Sequence, residues 1–127
     1  IASMKKVLIV DDSSTMRRII MRSLRQAGLQ VDTILEAENG AQGLATVQSD
    51  PEVELVFSDV NMPEMNGLEF VKGVRATRDK RSLPIVMISS EGSEAFIQQA
   101  MDCGANGYVT KPFTPESIKQ RLEGLLG

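Results

Sequence analysis

Short runs of apolar residues recur along the chain, and longer segments of mixed polar and apolar residues separate them. Three runs are continuous, at residues 7–10, 55–57 and 85–88, and two weaker ones lie at 31–37 and 107–110. The continuous runs are rich in branched residues, which is typical of strands buried on both faces of a parallel sheet. The pattern therefore predicts five strands, although an apolar run this short could also belong to a buried helix.

The segments between the runs carry apolar residues every three or four positions, which predicts amphipathic helices. In the first helix the apolar stripe consists of Met16, Ile20, Leu24 and Ala27. Gly28 is expected to end that helix, because glycine commonly occupies the position just beyond a helix. The last helix is expected to start with Thr114 as its cap and Pro115 as its first residue. Three shorter helices are predicted at 41–47, 68–74 and 96–101.

The first predicted helix is rich in arginine. We expect either Asp12 or Ser14 to cap its N-terminus. Its arginines lie outside the apolar stripe, as Arg17, Arg18, Arg22 and Arg25. We predict that all four belong to a solvated helix face, and docking of a kinase to that face is the alternative interpretation.

Strand and helix alternate five times in this scheme. That order predicts an α/β fold with a doubly wound, five-stranded parallel sheet and five helices, joined by right-handed crossovers and divided between the two faces. No repeat or linker interrupts the chain, so residues 4–127 are expected to form a single domain. Residues 1–3, which precede Met4, are expected to be a cloning remnant.

The composition narrows the classes of function. The net charge of −3 over 127 residues argues against nonspecific binding to nucleic acid or to an anionic membrane surface. No apolar run approaches the roughly 20 residues that a membrane-spanning helix needs. The single cysteine, Cys103, excludes a disulfide within the chain and favours the cytosol. The chain has no histidine, which excludes His-ligated zinc and Ser-His or Cys-His nucleophile pairs.

Charged residues stand where three of the predicted strands end. Asp11 and Asp12 follow the first strand, Asp59 follows the third, and Lys111 follows the fifth. Each acid alone would be interpreted as an ordinary residue of a solvated turn. Because ligands of open α/β sheets bind outside the carboxyl ends of the strands, we expect the four side chains to converge on one small site.

The charges of these four residues suggest what the site would bind. Three carboxylates together hold surplus negative charge, which suits a hard divalent cation such as Mg²⁺. The added ammonium of Lys111 indicates that an anion also enters, and phosphate is the obvious candidate. Since Mg²⁺ uses few protein carboxylates and takes other ligands from water or phosphate, one carboxylate would stay free to act as a nucleophile.

Several motifs carry a family resemblance. They are Asp11-Asp12 after the first strand, DVNMPEMNG at 59–67, Ser89 at the end of the fourth strand, and YVTKPF at 108–113, with STMRRI at 14–19 in addition. With these motifs the chain resembles the receiver domains of two-component response regulators, most closely the CheY-like single-domain regulators of chemotaxis. The resemblance covers nearly all of residues 4–127 and implies the flavodoxin-like, CheY-like form of the doubly wound sheet.

The resemblance implies a role for each matching residue. Asp59 would be the phosphoacceptor, and Lys111 and Ser89 would assist the reaction. The ligands of Mg²⁺ would be Asp11, Asp12, Asp59 and the backbone carbonyl of Asn61. Ser89 would also move toward the new phosphoryl group, after which Tyr108 would rotate inward as the aromatic part of a switch. The peptide between Lys111 and Pro112 would be cis, whereas base rates alone favour trans.

The function implied by the resemblance is that of a phosphoacceptor switch in two-component signal transduction. A CheA-like histidine kinase would supply the phosphoryl group, and the chain would dephosphorylate itself without being an enzyme for other substrates. The implied partners are a flagellar motor switch protein or an output domain, and a phosphatase, all in the cytoplasm. The fourth helix, fifth strand and fifth helix would form the face that partners recognise.

Three other functions stay open from the sequence. The chain could be a receiver domain cut from a larger regulator that has a DNA-binding or enzymatic output domain. A Mg²⁺-dependent phosphohydrolase with an aspartyl intermediate is disfavoured, because haloacid-dehalogenase-type enzymes carry Asp-x-Asp after the first strand and this chain has Asp11-Asp12-Ser13. A degenerate receiver that only binds partners is disfavoured by the complete set Asp11, Asp12, Asp59, Ser89 and Lys111.

Overall fold

The computed structural model describes residues 3–126, apart from the side chain of Leu126. The five strands are β1 (Ser3–Val10), β2 (Gln30–Ala37), β3 (Val53–Asp59), β4 (Ile85–Ser89) and β5 (Gly107–Thr110). The five helices are α1 (Ser14–Gln26), α2 (Gly40–Ser49), α3 (Gly67–Arg75), α4 (Glu94–Cys103) and α5 (Pro115–Leu126). The predicted alternation is confirmed, and β1 is longer than its apolar run. Of the residues interpreted as a cloning remnant, Ser3 begins β1, and Ile1 and Ala2 lie outside the described residues.

The sheet is parallel throughout and has the strand order β2-β1-β3-β4-β5. The chain runs from β1 to β2 on one side and then returns to β3 on the other side of β1. This reversal is the point at which open α/β sheets bind their ligands. Here Asp11 follows β1 and Asp59 ends β3, so the topology places both acids at the crevice. The predicted doubly wound fold is confirmed.

Helices cover both faces of the sheet, which explains why the strands read as continuous apolar runs. Along β1, Val7 and Ile9 pack into the core beneath α1 and α5. The alternate residues Leu8 and Val10 pack into the second core, beneath α2, α3 and α4. All four side chains are fully buried. Within residues 3–126, none of the helices is both long and apolar enough to cross a membrane.

The ends of α1 show where local sequence signals succeed and fail. Gly28 has a positive φ of 94°, as expected for a glycine just beyond a helix. The expectation for the N-terminus was wrong, because Ser13 is the cap and its Oγ accepts a hydrogen bond of 3.1 Å from the amide of Met16. Ser14 already lies within the helix, and Asp12 is left with an exposed side chain.

The prediction that all four arginines of α1 are solvated was wrong for Arg17. Arg18, Arg22 and Arg25 are exposed, whereas Arg17 is buried, with 9% of its surface accessible. Its guanidinium donates hydrogen bonds to the Asp11 carbonyl and to Glu36 at the end of β2. The long side chain of Arg17 reaches from α1 to the ends of β1 and β2, which the helical periodicity alone does not indicate.

Candidate functional site

Three carboxylates meet at the carboxyl ends of β1 and β3. Asp11, Asp12 and Asp59 each offer an oxygen atom, and these atoms all lie within 4.8 Å of one another. Asp11 and Asp59 are buried, with 1% and 7% of their surfaces accessible, while Asp12 is exposed. The structure therefore brings the three acids together as the sequence analysis expected, in a cluster that could hold a divalent cation.

Lys111 joins this cluster from the end of β5. Its ammonium lies 3.5 Å from Oδ1 of Asp59 and 3.9 Å from Oδ2 of Asp11. Its backbone amide donates to the Ser89 carbonyl over 2.8 Å, which ties the segment after β5 to the end of β4. The peptide between Lys111 and Pro112 is cis, as the resemblance implied. One cation and three acids thus share the site, leaving a surplus of negative charge.

The two oxygens of Asp59 have different surroundings. Oδ1 accepts a hydrogen bond of 2.8 Å from the Val60 amide and also faces Lys111. Oδ2 of Asp59 accepts no hydrogen bond from the residues that the structure describes. One oxygen is therefore oriented by the protein, and the other is available for bonding to an incoming group.

Asp11 is the most deeply buried carboxylate of the cluster. Burial, with smaller contributions from the charges of Asp59 and Asp12, raises the pKa of its carboxyl to about 6. The Ser13 amide, which donates to Oδ1 over 2.9 Å, and the ammonium of Lys111 oppose that rise in the pKa. Oδ2 is buried without a hydrogen-bond partner, the one such side-chain atom found among residues 3–126. A cation at the cluster would supply the missing partner.

We expect Asp11→Asn to raise the free energy of unfolding of the metal-free protein by about 2 kcal/mol at pH 7.5. The raised pKa means that folding disfavours the ionised carboxylate. One pKa unit corresponds to about 1.4 kcal/mol, so the rise from 3.8 to about 6 sets an upper value of about 3 kcal/mol, which solvent at the open side of the site reduces. The ionised Asp11 destabilises the wild-type protein fully above the folded-state pKa of about 6, and this effect disappears below the unfolded-state pKa of 3.8. Urea unfolding in EDTA at several pH values measures the difference.

The exposed Asp32 of β2 provides the control for this prediction. Asp32→Asn makes the same chemical change outside the cluster, and its effect should stay within about 0.5 kcal/mol. The gain from Asp11→Asn should shrink steadily as the pH falls from 7 to 4. A gain that does not change with pH, or a loss of stability at pH 7.5, would contradict the assignment of burial as the cause.

Ser89 and Tyr108 lie behind the charged cluster. Ser89 is buried at the end of β4, and its Oγ accepts a hydrogen bond from the Glu91 amide. The Tyr108 hydroxyl donates to the Glu91 carbonyl over 2.6 Å, and its ring packs edge-on against Phe96. Burial raises the pKa of the Tyr108 hydroxyl. The ring lies inside, where the Glu91 carbonyl gives it a hydrogen-bond acceptor and Phe96 of α4 gives it an aromatic neighbour. The inward rotation of Tyr108 after phosphorylation stays a prediction.

Asn61 and Gly67 follow Asp59 on the way from β3 to α3. Asn61 is exposed two residues beyond Asp59, and the role of its carbonyl as a metal ligand stays a prediction. Gly67 starts α3, and its amide donates to the Val60 carbonyl over 2.8 Å. A Cβ atom at Gly67 would clash with the Asp59 carbonyl oxygen and lie 2.8 Å from the Val60 Cα. Gly67 therefore serves the turn and the start of α3.

Comparisons with known proteins agree with this arrangement. The sequence profile of the response regulator receiver domain matches residues 7–123. A chemotaxis protein CheY homolog of Campylobacter jejuni (strain 81-176) is 47% identical over 122 residues, which cover 96% of this chain and 92% of the relative. Chemotaxis protein CheY1 of Helicobacter pylori (strain J99) is 45% identical, with 96% and 97% covered.

Solved structures show the same similarity at the level of the fold. The high-resolution structure of the Vibrio cholerae chemotaxis protein CheY4 has a TM-score of 0.82 to this chain at 39% identity. The alignment covers 97% of this chain and 99% of that one. The profile match, the full-length relatives and the acid cluster at the topological reversal lead to one assignment: the chain belongs to the response regulator receiver domain family.

Proposed function

We propose that this protein is a phosphoacceptor switch of two-component signal transduction that acts in chemotaxis, with Asp59 as the phosphorylated residue. The observation that carries the proposal is the environment of Asp59, a buried carboxylate with one oxygen oriented by a backbone amide and faced by Lys111. The relatives named for chemotaxis match over nearly their whole length, which supports the pathway. Family membership also favours a receiver over the phosphohydrolase alternative.

The proposed reaction forms a bond between a carboxylate oxygen of Asp59 and the phosphorus of the donor. The bond from phosphorus to the donor nitrogen breaks, and the leaving imidazole takes up a proton. Oδ1 of Asp59 is held by the Val60 amide, so Oδ2 is the atom placed to attack. Lys111 offsets negative charge that develops on the phosphoryl oxygens, which is the main contribution a protein makes to phosphoryl transfer.

A divalent cation belongs in this proposal because the donor set fits it. Mg²⁺ would be held by Asp11, Asp12, Asp59 and the backbone carbonyl of Asn61. When bound, Mg²⁺ would neutralise charge on the phosphoryl group during transfer. The buried Oδ2 of Asp11 is the feature that supports a cation here, because it has no hydrogen-bond partner and the Lys111 ammonium stays 3.9 Å away.

The switch would run from the phosphoryl group to the face formed by α4, β5 and α5. Ser89 would donate its hydroxyl hydrogen to a phosphoryl oxygen. Phosphorylation would stabilise the inward position of the Tyr108 ring, in which its hydroxyl donates to the Glu91 carbonyl, over an outward one. A groove beside the edge strand β5, lined in part by Tyr108, Phe113 and Arg121, supports this face as the place where a partner docks. Chemical-shift changes confined to the Asp59 loop would exclude it.

The proposed partners follow from the family. Receiver domains act as signalling switches, and self-phosphorylation and self-dephosphorylation are the only reactions proposed here. A CheA-like histidine kinase would be the donor, a flagellar motor switch protein the target, and a phosphatase a further partner, all in the cytoplasm. The cognate kinase would be identified by transfer of its phosphoryl group to Asp59, and the cognate target by binding that depends on this phosphorylation.

The proposal is tested by intact-mass measurement after incubation with acetyl phosphate. We expect the wild-type protein to gain one phosphoryl group when Mg²⁺ is present and none when EDTA replaces it. An acyl phosphate should then be lost on treatment with hydroxylamine. If no gain is seen and beryllofluoride with Mg²⁺ also fails to bind, the receiver chemistry proposed for this chain is wrong.

A further inference from the structure

We propose that Arg17 is a positioning residue for the cation site, and that it sets Mg²⁺ affinity by holding the backbone of Asp11. The inference rests on the proposed function, since it concerns the same acid cluster. Arg17 lies in the first turn of α1, touches none of the reacting groups, and was expected to be solvated. Its burial and its two charged hydrogen bonds call for another explanation.

The Arg17 guanidinium joins three elements of the fold. Nη1 donates to the Asp11 carbonyl over 2.7 Å, just beyond the end of β1. Nε donates to Oε1 of Glu36 over 2.8 Å, and Glu36 lies in register with Ile9 near the end of β2. The Arg17 side chain is only 11% exposed and that of Glu36 is 44% exposed, so the bond to the Asp11 carbonyl is the one shielded from water. Hydrogen bonds from a charged donor are roughly twice as strong as neutral ones.

These contacts leave Asp11 with one polar atom that makes no hydrogen bond. Its amide donates to the Ala37 carbonyl over 3.0 Å, and its own carbonyl accepts from Arg17. Oδ1 accepts from the Ser13 amide, whereas Oδ2 is unpartnered. The Asp11 carbonyl belongs to the peptide plane between Asp11 and Asp12. By fixing that plane, Arg17 would determine where both carboxylates point.

The sign of the effect separates positioning from simple electrostatics. Arg17 is a cation close to a cation site, so Coulomb repulsion alone predicts that its removal tightens Mg²⁺ binding. If Arg17 acts by orienting the Asp11-Asp12 peptide, its removal weakens Mg²⁺ binding instead. Residues that orient metal ligands typically change affinity by about 10- to 100-fold. The two explanations therefore predict opposite changes.

The test is a Mg²⁺ titration of the full chain, followed by the amide NMR signals of Ser13 and Val60. We expect Arg17→Gln to weaken Mg²⁺ binding by about 10-fold relative to wild type. Arg18→Gln is the matched control, because it removes the same charge from the next, exposed residue and should leave the affinity unchanged or slightly tighter. Urea unfolding of each variant establishes that it is folded at the titration temperature.

Arg17→Lys provides a second variant in case Arg17→Gln does not fold. It keeps the charge but not the planar fork that serves Asp11 and Glu36 together, so we expect affinity about threefold weaker than wild type. A separate readout is phosphorylation by acetyl phosphate. The Mg²⁺ concentration for half-maximal rate should rise in both variants, while the rate at saturating Mg²⁺ stays near wild type.

The outcomes distinguish the inference from the proposed function. A wild-type protein that shows no response to Mg²⁺ would overturn the cation site itself, and with it both proposals. A wild type that binds Mg²⁺, with both Arg17 variants binding within twofold of it or more tightly, would overturn the positioning role alone. Weaker binding in the Arg17 variants with Arg18→Gln unaffected would support it.

Discussion

Asp59→Asn is expected to abolish the Mg²⁺-dependent gain of a phosphoryl group, with a loss of at least about 100-fold in rate. An amide oxygen is a far weaker nucleophile than a carboxylate, and activated nucleophiles are what covalent phosphoryl transfer needs. The substitution also removes the charge that the Lys111 ammonium faces at 3.5 Å. The backbone should be little disturbed, because an amide oxygen can still accept from the Val60 amide.

The measurement is a time course of intact mass with acetyl phosphate and Mg²⁺. Asp32→Asn is the matched control: it makes the same chemical change at an exposed position of β2 and should be phosphorylated at the wild-type rate. Peptide mapping of the wild type should place the modification on the segment that contains Asp59. An Asp59→Asn protein that gains the phosphoryl group as fast as wild type would show that another residue is the acceptor.

Gly67→Ala is expected to destabilise the protein by about 3 kcal/mol. A Cβ at this position would collide with the Asp59 carbonyl oxygen and would lie 2.8 Å from the Val60 Cα, and backbone atoms do not move aside cheaply. Overpacking of this kind typically costs about 1–3 kcal/mol, and the contacts here are at the severe end. Since the clash falls on Asp59 itself, phosphorylation should be slowed as well.

Gly124→Ala is the matched control for that change. Gly124 lies in α5, and a Cβ there would meet nothing within 4 Å. Replacing it with alanine should leave stability unchanged or raise it by up to about 1 kcal/mol, because glycine is a poor helix former. Urea unfolding of the two variants measures the contrast. If Gly67→Ala and Gly124→Ala had the same free energy of unfolding, the loop between β3 and α3 would relax around the added methyl group at little cost.

The fold could be predicted because its core obeys simple periodic rules. Val7, Leu8, Ile9 and Val10 are all buried since helices cover both faces of the sheet, and that geometry requires a continuous apolar run. The convergence of Asp11, Asp59 and Lys111 followed from one further rule, that ligands bind at the carboxyl ends of parallel strands. Both inferences depend only on position along a strand.

Arg17 and Tyr108 could not be placed by such rules. The position of Arg17 depends on a long side chain reaching a carbonyl after β1 and a carboxylate on β2, a weakly patterned strand. Tyr108 lies inward because the Glu91 carbonyl is within reach of its hydroxyl, and that contact spans 17 residues. Such contacts depend on how elements dock, whereas helical or strand periodicity reports only which side of one element is buried. The prediction of the cap of α1 was wrong because Asp12, Ser13 and Ser14 are all good capping residues, and the local sequence does not distinguish them.

The strand order also affects when the protein becomes competent to signal. Asp11 directly follows the first strand, Asp59 ends the third, and Lys111 directly follows the last. Asp59 and Lys111 are 52 positions apart in the sequence. A nascent or partly unfolded chain in which β5 has not docked would carry Asp59, the proposed acceptor, without the lysine that faces it. Phosphorylation would then be restricted to finished molecules. Incompletely folded copies would consume little of the phosphodonor. Phosphorylated protein would then consist mainly of folded molecules that can bind their partners.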